Sequence, residues 1–262
     1  MSSDPGATRP SERAEADLQT SDDDFLGGRL RLRQPLHGYR AGSDAILLAA
    51  ACPAREGDRV LDAGCGIGAA GLSLLTRVPG TSLVGLDLQA DLIGLAQQNS
   101  RRNGLEARVA FHAGDILAPP GPVAQTQFDR VICNPPFYES GEATRSPRAS
   151  RDLGHVQGAA DFAAWTDFCL RRLRPDGVLS LIVRTQSLAT LLALLSARAG
   201  SIDLIPLWPA AGRPAKRTIV RAIKGGRAGV ALHPGLVLHD ADGRPTPEAD
   251  VVLRGGASLM PG

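Results

Sequence analysis

The chain has 262 residues, 43% of them hydrophobic but only 4% aromatic, which suits one large domain with an aliphatic core. It contains no apolar run of membrane-spanning length, no apolar signal segment at the N-terminus and no CxxC pair among its four cysteines. We therefore predict a cytoplasmic protein without a membrane span, a bound metal or a disulfide framework. The net charge of +2 hides an acidic stretch, residues 1–24, and an excess of arginine elsewhere that favours a polyanionic partner.

The first 42 residues are predicted to form two segments. Residues 1–24 are polar and rich in Pro, Ser and Asp, which predicts a disordered acidic tail. Residues 25–42 alternate leucine with arginine between glycine and proline breaks, which predicts an N-terminal β-ribbon. Ser43 then stands where the N-cap of a helix through DAILLAAAC is expected.

From residue 59 onward the pattern alternates between short apolar strands and amphipathic helices. Five strands are expected at 59–63, 82–88, 107–115, 128–133 and 177–183. Helices are expected between them at 69–78, 90–103 and 161–173, and a further helix at 187–200. The last two strands, 202–208 and 217–225, have no helix between them and should pair antiparallel.

This order predicts an α/β fold: a doubly wound, mostly parallel, seven-stranded sheet covered on both faces by helices. We expect the main domain to span residues 43–228. Residues 229–262 contain a strand-like GLVLH and a short helix near PEADVVL, and we expect them to form a C-terminal flap packed on the domain.

The segment LDAGCGIGAAG (61–71) stands where the first of these strands turns into a helix, and ligands of such sheets bind at crossovers of this kind. Its glycines let the backbone approach a ligand, and the helix start offers free N–H donors. One register matches a dinucleotide pattern over residues 66–71. The other begins at a strand-end acid, Asp62, and uses Gly64, Gly66 and Gly68. We prefer the second register, because the first would insert three extra residues between the strand and its first glycine.

Two further acids end predicted strands. Asp87 follows the loop by about 20 residues, where either register expects a carboxylate that accepts bonds from ribose hydroxyls. Leu88 comes next and is expected to line the same cofactor site. A simple helix cap is the alternative for Asp87, and the residues alone leave Asp115 as much an N-cap as a ligand-binding acid.

The fourth strand ends in VICNPPFYES, residues 131–140. Pro135 and Pro136 remove two backbone donors and fix two φ angles, and Asn134 is pushed out of the helical region by the proline after it. Phe137 adds a ring to this rigid, donor-poor corner. Because the fourth strand neighbours the first in the expected sheet, the corner and the glycine loop should face one crevice.

The corner and the loop together resemble class I S-adenosylmethionine-dependent methyltransferases that act on amines conjugated to a ring or carbonyl. That resemblance implies S-adenosyl-L-methionine as cofactor, with Asp62 near its methionine amino group and Asp115 near its adenine amine. It also implies that Asn134 and the Pro135 carbonyl each accept one N–H of the substrate amine, while Phe137 stacks on the base.

Within that group the chain most resembles the tRNA1(Val) adenine-N6 methyltransferases. The resemblance rests on GYRAGSDAILLAA (38–50), LDAGCGIGAAGL, GLDLQADLIGLAQQN, VICNPPFY and the closing LHDADGRPTPEADVVLRGG (238–256). It implies transfer of a methyl group to the N6 amine of an adenosine in tRNA, beside the anticodon. It further implies that the methionine end of the cofactor is lined by Tyr39, Gly42, Ser43 and Asp44.

A tRNA partner would need cations for its phosphates. The candidates are Arg145, Arg148, Arg151, Arg213, Lys216 and Arg217. Residues 143–155 are either a lid that carries three of them or an ordinary solvated loop. Three alternatives stay open: a glutamine-amide methyltransferase of peptide release factors, a guanine-N2 methyltransferase of rRNA, and a non-catalytic cofactor-binding or nucleic-acid-binding module.

Overall fold

The computed structural model describes residues 19–38, 40–135 and 159–259, with the backbone alone for 159–161. Its N-terminal unit is an antiparallel ribbon of two strands, β1 (Thr20–Phe25) and β2 (Leu30–Pro35). A tight 3-10 turn, Leu26–Gly28, joins them. On β2 the leucines at 30 and 32 are fully buried, while the alternate residues Arg31 and Arg33 are exposed and half-buried, which is the predicted alternation.

The ribbon starts earlier than predicted, and the assignment of Thr20–Asp24 to a disordered tail was wrong. Composition alone gave a wrong prediction of disorder here, because the three aspartates of β1 are neutralised by arginines. Asp22 accepts two bonds from Arg102, Asp23 pairs with Arg40 and Asp24 pairs with Arg31 across the ribbon. Residues 1–18 of the predicted tail lie outside the described residues.

A nine-stranded sheet forms the centre of the molecule. Its strands are β3 (Arg59–Ala63), β4 (Ser82–Asp87), β5 (Val109–Ala113), β6 (Phe128–Cys133), β7 (Leu173–Arg184), β8 (Ala199–Ala210), β9 (Arg217–Lys224), β10 (Val230–Leu232) and β11 (Leu236–His239). The order across the sheet is β5-β4-β3-β6-β7-β9-β8, and β10 and β11 both pair with the outer edge of β8. Only β9 runs antiparallel to its neighbours, so the predicted doubly wound, mostly parallel sheet is confirmed, with two short edge strands added.

Helices cover both faces of this sheet. They are α1 (Ser43–Ala51), α2 (Ala69–Arg77), α3 (Ala90–Arg102), α4 (Gly121–Ala124), α5 (Ala159–Arg172), α6 (Leu188–Leu195) and α7 (Pro247–Leu253). One core cluster packs α1, α2, α3 and the ribbon against the sheet, and a second packs α5 and α6 on the other face. Among the described residues, no helix is long and apolar enough to cross a membrane.

Two helix boundaries differ from the predictions. Helix α1 begins at Ser43 itself after an extended Gly42, and no side chain caps it, so Ser43 is not the N-cap. The predicted helix 187–200 ends at Leu195, because β8 already begins at Ala199. Gly200 belongs to that strand, where any Cβ would collide with the backbone of Gly226.

The C-terminal segment folds back onto the first core cluster. Helix α7 lies against β11 and α1, and its Ala249 and Val252 are buried there. Beyond it, the N–H of Leu259 donates to the carbonyl of Ala50, and Arg77 Nε donates to the carbonyl of Gly256. How the predicted ribbon, domain and flap divide as separate units stays a prediction.

Candidate functional site

The site is built where four parallel strands end side by side. At the carboxyl end of β3, Ala63 pairs with Leu86 of β4 on one side and with Cys133 of β6 on the other. The residues that follow each strand therefore meet at one edge of the sheet, as predicted. On this edge the glycine loop lies between Asp87 and Asn134.

The glycine loop runs from β3 into α2 and needs its glycines. Gly64, Gly66 and Gly68 have φ angles of +73°, +52° and +83°, a left-handed backbone that favours glycine. The N–H groups of Gly64 and Cys65 both donate to the carbonyl of Leu86, at 2.8 and 3.0 Å. The loop is thus tied to the end of β4 by main-chain bonds.

A tryptophan closes one side of this loop. Trp165, on α5, lies so near Gly64 that a Cβ there would come within 2.9 Å of the ring carbon Cη2. Sequence reasoning missed this contact, since 100 residues of chain separate the two positions. The only available signal was the scarcity of tryptophan, of which the chain has two.

Asp62 lies beneath the loop, with only 2% of its surface exposed. Its Oδ2 accepts the N–H of Gly71 at 2.9 Å, which ties the strand end to the first turn of α2. Burial, helped by the nearby charge of Asp87 and opposed by the bond from Gly71, raises the pKa of this carboxyl to about 7. Gly71 is required by packing, because a Cβ there would collide with Leu83.

Asp87 holds the loop from the neighbouring strand. Its Oδ2 accepts the N–H of Gly66 at 2.8 Å, and its Oδ1 accepts the N–H of Gln89 at 2.9 Å where α3 begins. Burial raises the pKa of this carboxyl. Both oxygens keep further lone pairs for a ligand. Leu88 follows with 54% of its surface exposed, an apolar face at the mouth of the crevice.

Asp115 follows β5 as an exposed side chain. Its Oδ1 accepts the N–H of Leu117 at 2.9 Å and so closes a small turn. The nearest helix, α4, is preceded by Pro120, so Asp115 is not a helix N-cap. Leu117 is 65% exposed and adds a second apolar side chain to the edge that carries Leu88.

The corner after β6 is described as far as its first proline. Asn134 is half-buried and Pro135 is buried, directly after the residue that pairs with both β3 and β7. The structure thus brings Asn134 and Pro135 to the same edge as the glycine loop. The other predicted residues of this corner and of the cofactor and phosphate contacts lie outside the described residues: Pro136, Phe137, Tyr39, Arg145, Arg148 and Arg151.

Comparisons with known proteins agree with this geometry. Residues 41–151 match the family model of the methyltransferase small domain. A tRNA1(Val) (adenine(37)-N6)-methyltransferase of Dickeya chrysanthemi is 29% identical over 78% of this chain and 82% of its own. One of the same name from Shewanella frigidimarina is 30% identical over 70% of this chain and 74% of its own. The chain belongs to this methyltransferase family.

A solved structure supports the same fold. A crystal structure reported as a predicted O-methyltransferase from Agrobacterium tumefaciens matches with a TM-score of 0.68 and 26% identity. The match covers 82% of this chain and 97% of that one. The share of the chain that it covers exceeds the 41–151 segment matched by the methyltransferase small domain.

Two residues that the family resemblance assigned to different partners contact each other. Asp44, predicted to line the methionine end of the cofactor, accepts a bond from Nε of Arg217 at 3.2 Å. Arg217 was predicted to contact phosphate. Gly42 and Ser43 are exposed just before this pair. The methyltransferase therefore holds the start of α1 to β9 with the charge of Arg217.

Arg213 and Lys216 differ from Arg217. Both are exposed in the turn between β8 and β9, and within the described part of the chain neither forms an ion pair. The turn follows the carboxyl end of β8, which runs parallel to β7, so it lies at the edge that carries the candidate site. In residues 19–38, 40–135 and 159–259, no group of three His, Cys, Asp or Glu side chains is placed to hold a metal ion.

Proposed function

We propose that this protein is an S-adenosyl-L-methionine-dependent methyltransferase that modifies the N6 amine of an adenosine in tRNA. The observation that carries the proposal is the position of Asn134 and Pro135 directly beside the glycine loop. An amide oxygen and a main-chain carbonyl there suit an amine that must present its lone pair. The family relatives' names support a valine tRNA and the adenine at position 37.

The residues around the loop fit this cofactor. Left-handed glycines let the chain pass close to a ligand, Asp87 keeps acceptor capacity for two ribose hydroxyls, and the exposed Leu88 offers an apolar face to a base. Asp115, exposed beside Leu117, is available to the adenine amine. When bound, S-adenosyl-L-methionine supplies an electrophilic methyl group on a sulfonium centre.

The chemistry of this chain's own residues is orientation of a weak nucleophile. The lone pair of a base amine is delocalised into the ring, so the amine attacks poorly. Asn134 Oδ1 and the Pro135 carbonyl each accept one N–H, which turns the lone pair toward the donor. The two acceptors also stabilise the positive charge that develops on nitrogen as the new bond forms. The prolines supply no N–H that would compete for these acceptors.

The charge distribution supports a nucleic acid at this edge. Arg213 and Lys216 are exposed on the same side of the sheet as Asn134, and a phosphate contact there would position the substrate without reading its bases. Arg145, Arg148 and Arg151 follow the corner in sequence, and their part in binding stays a prediction. Such an enzyme would act in the cytoplasm, where tRNA is found.

The test is a methyl-transfer assay with labelled S-adenosyl-L-methionine. The purified protein is mixed separately with unmodified total tRNA, rRNA and peptide release factors, and the products are digested for mass spectrometry. N6-methyladenosine in the tRNA pool is the expected result. Methylglutamine in release factors or N2-methylguanosine in rRNA would overturn the substrate, and cofactor binding without transfer to any pool would overturn the enzyme.

A further inference from the structure

Asn99 of α3 and Asn103, the residue that follows α3 as its C-cap, form a ladder with the outer edge of β2. Asn99 Oδ1 accepts the N–H of Arg33 at 2.7 Å, and its Nδ2 donates to the carbonyl of Arg33 at 3.1 Å. Asn103 repeats both bonds on Arg31, at 2.9 and 2.8 Å. Four residues of helix rise about 6 Å, close to two residues of strand, so the two side-chain amides replace a neighbouring strand.

One of these asparagines also reaches the glycine loop. Nδ2 of Asn99 donates to the carbonyl of Ile67 at 3.1 Å, between Gly66 and Gly68. The third bond of Asn103 instead goes to the carbonyl of Asn99 in α3. Asn99 therefore contacts ribbon and loop together, whereas Asn103 contacts the ribbon alone.

The burial of Asn99 makes this arrangement costly unless every bond is made. The side chain is fully buried, and an unsatisfied amide there would lose the hydrogen bonds that it makes to water. All three bonds are present, and the one to Ile67 fixes the peptide plane of that residue from its carbonyl side. The following N–H, of Gly68, is held by the carbonyl of Cys65 at 2.8 Å.

We infer that Asn99 is a positioning residue that sets the shape of the cofactor loop, and that the N-terminal ribbon is held to the loop through it. The inference rests on the cofactor half of the proposed function and is independent of the substrate. Charge supports the same coupling, because Asp22 of β1 accepts two bonds from Arg102 near the end of α3. The ribbon thus has several attachments to α3, and Asn99 is the one that continues to the loop.

The experiment compares Asn99→Ala with Asn103→Ala, a matched control at the C-cap of the same helix. Isothermal titration calorimetry gives the Kd for S-adenosyl-L-methionine, and hydrogen–deuterium exchange gives the protection of residues 64–72 and 20–35. We expect Asn99→Ala to raise the Kd about tenfold and to speed exchange in both segments. Asn103→Ala should speed exchange in the ribbon alone and leave the Kd within about twofold.

Kinetics separate positioning from general loss of stability. At a temperature where both variants are folded, Asn99→Ala should raise KM for the cofactor and leave kcat at saturation within about threefold. If Asn99→Ala does not fold, Asn99→Asp serves instead, because it keeps the acceptor for the N–H of Arg33 and removes the donor to the carbonyls of Arg33 and Ile67. An unchanged Kd, or an equal rise in Asn103→Ala, would overturn the inference.

The outcome for the proposed function is read separately. Wild-type protein that binds the cofactor but methylates no tRNA would overturn the substrate and leave this comparison intact. Wild-type protein that binds no cofactor would overturn the proposed function and the cofactor part of the inference. Exchange in residues 64–72 would then still decide whether Asn99 holds the loop: protection equal in both variants would refute it.

Discussion

The two sides of the crevice are stiffened by different means. On the side of β3 and β4, carboxyl groups hold backbone N–H groups: the buried Asp62 holds Gly71, and the half-buried Asp87 holds Gly66. On the side of β6, rigidity comes from the covalent ring of Pro135 after a strand paired on both flanks. The first side must present a shaped loop, whereas the second needs only fixed acceptors. Cofactor binding and chemistry should therefore be separable by mutation.

The largest expected effect is on the β6 side. Asn134→Ala should lower kcat by a factor on the order of 10²–10³, because one of the two acceptors that orient the amine is lost. The Kd for S-adenosyl-L-methionine should stay within a few-fold. Asn134→Asp, which keeps an acceptor, is the control and should retain measurable turnover. A fully active Asn134→Ala variant would show that the two sides are not divided in this way.

The next effect is on the loop side. Asp87→Ala should raise the Kd for S-adenosyl-L-methionine by roughly 10- to 100-fold, since it removes both the ligand's acceptor and the bond that holds Gly66. Calorimetry measures this directly. Asp91→Ala, at an exposed acid in the first turn of α3, is the control and should bind as the wild type does. Unchanged affinity in Asp87→Ala would contradict the placement of the cofactor's ribose at Asp87.

The contribution of the loop side to the stability of the fold should also depend on pH, whereas that of the β6 side should not. The pKa of Asp62 is raised to about 7 in the folded protein from its ordinary value of 3.8. Between these values the folded state binds the extra proton, so this group's contribution to stability falls as pH rises from about 4 to about 7. Asp62→Asn should flatten that part of the profile in denaturant unfolding. If the stability of Asp62→Asn fell with pH as steeply as that of the wild type, the prediction would be wrong.

The smallest expected effect concerns a phosphate contact that binds tRNA near the β6 side. Lys216→Glu should weaken tRNA binding several-fold at low salt, with a smaller difference at high salt, because one phosphate contact is lost. Filter binding at two ionic strengths measures it. Arg55→Glu, an equal charge change in the exposed turn before β3 at the opposite edge of the sheet, is the control and should bind normally. Equal weakening by both variants would indicate a general charge effect.

Most of the fold followed from sequence because its signals are local. Apolar runs of strand length alternated with amphipathic helices, and the missing helix before β9 indicated its antiparallel pairing. The two added strands, β10 and β11, have three and four residues and owe their pairing to β8 alone. The β1 strand was not predicted, because its aspartates disfavour a strand when the sequence is considered alone. The arginines that pair with them across the ribbon are known only from the structure.

The site was predictable where one short segment carried the whole pattern. The glycine loop, Asp87 and Asn134 all follow strand ends, so topology alone brought them together. Trp165 and Asn99 were missed, because their partners at Gly64 and Ile67 lie far away in the chain. The ion pair of Asp44 with Arg217 was not predicted for the same reason. Arg217, which was predicted to contact a phosphate, bonds to the side chain of Asp44 in the structure.

The indole ring against Gly64 also has a spectroscopic consequence. The chain has only two tryptophans, and the other, Trp208, lies on β8, four strands away from β3, where its ring N–H donates to the carbonyl of Pro234. A Trp208→Phe protein would carry a single tryptophan, at the glycine loop. The emission maximum and the quenching of this tryptophan would report cofactor occupancy and ordering of the loop without any label. Both can be followed at equilibrium and, by stopped flow, on the millisecond scale.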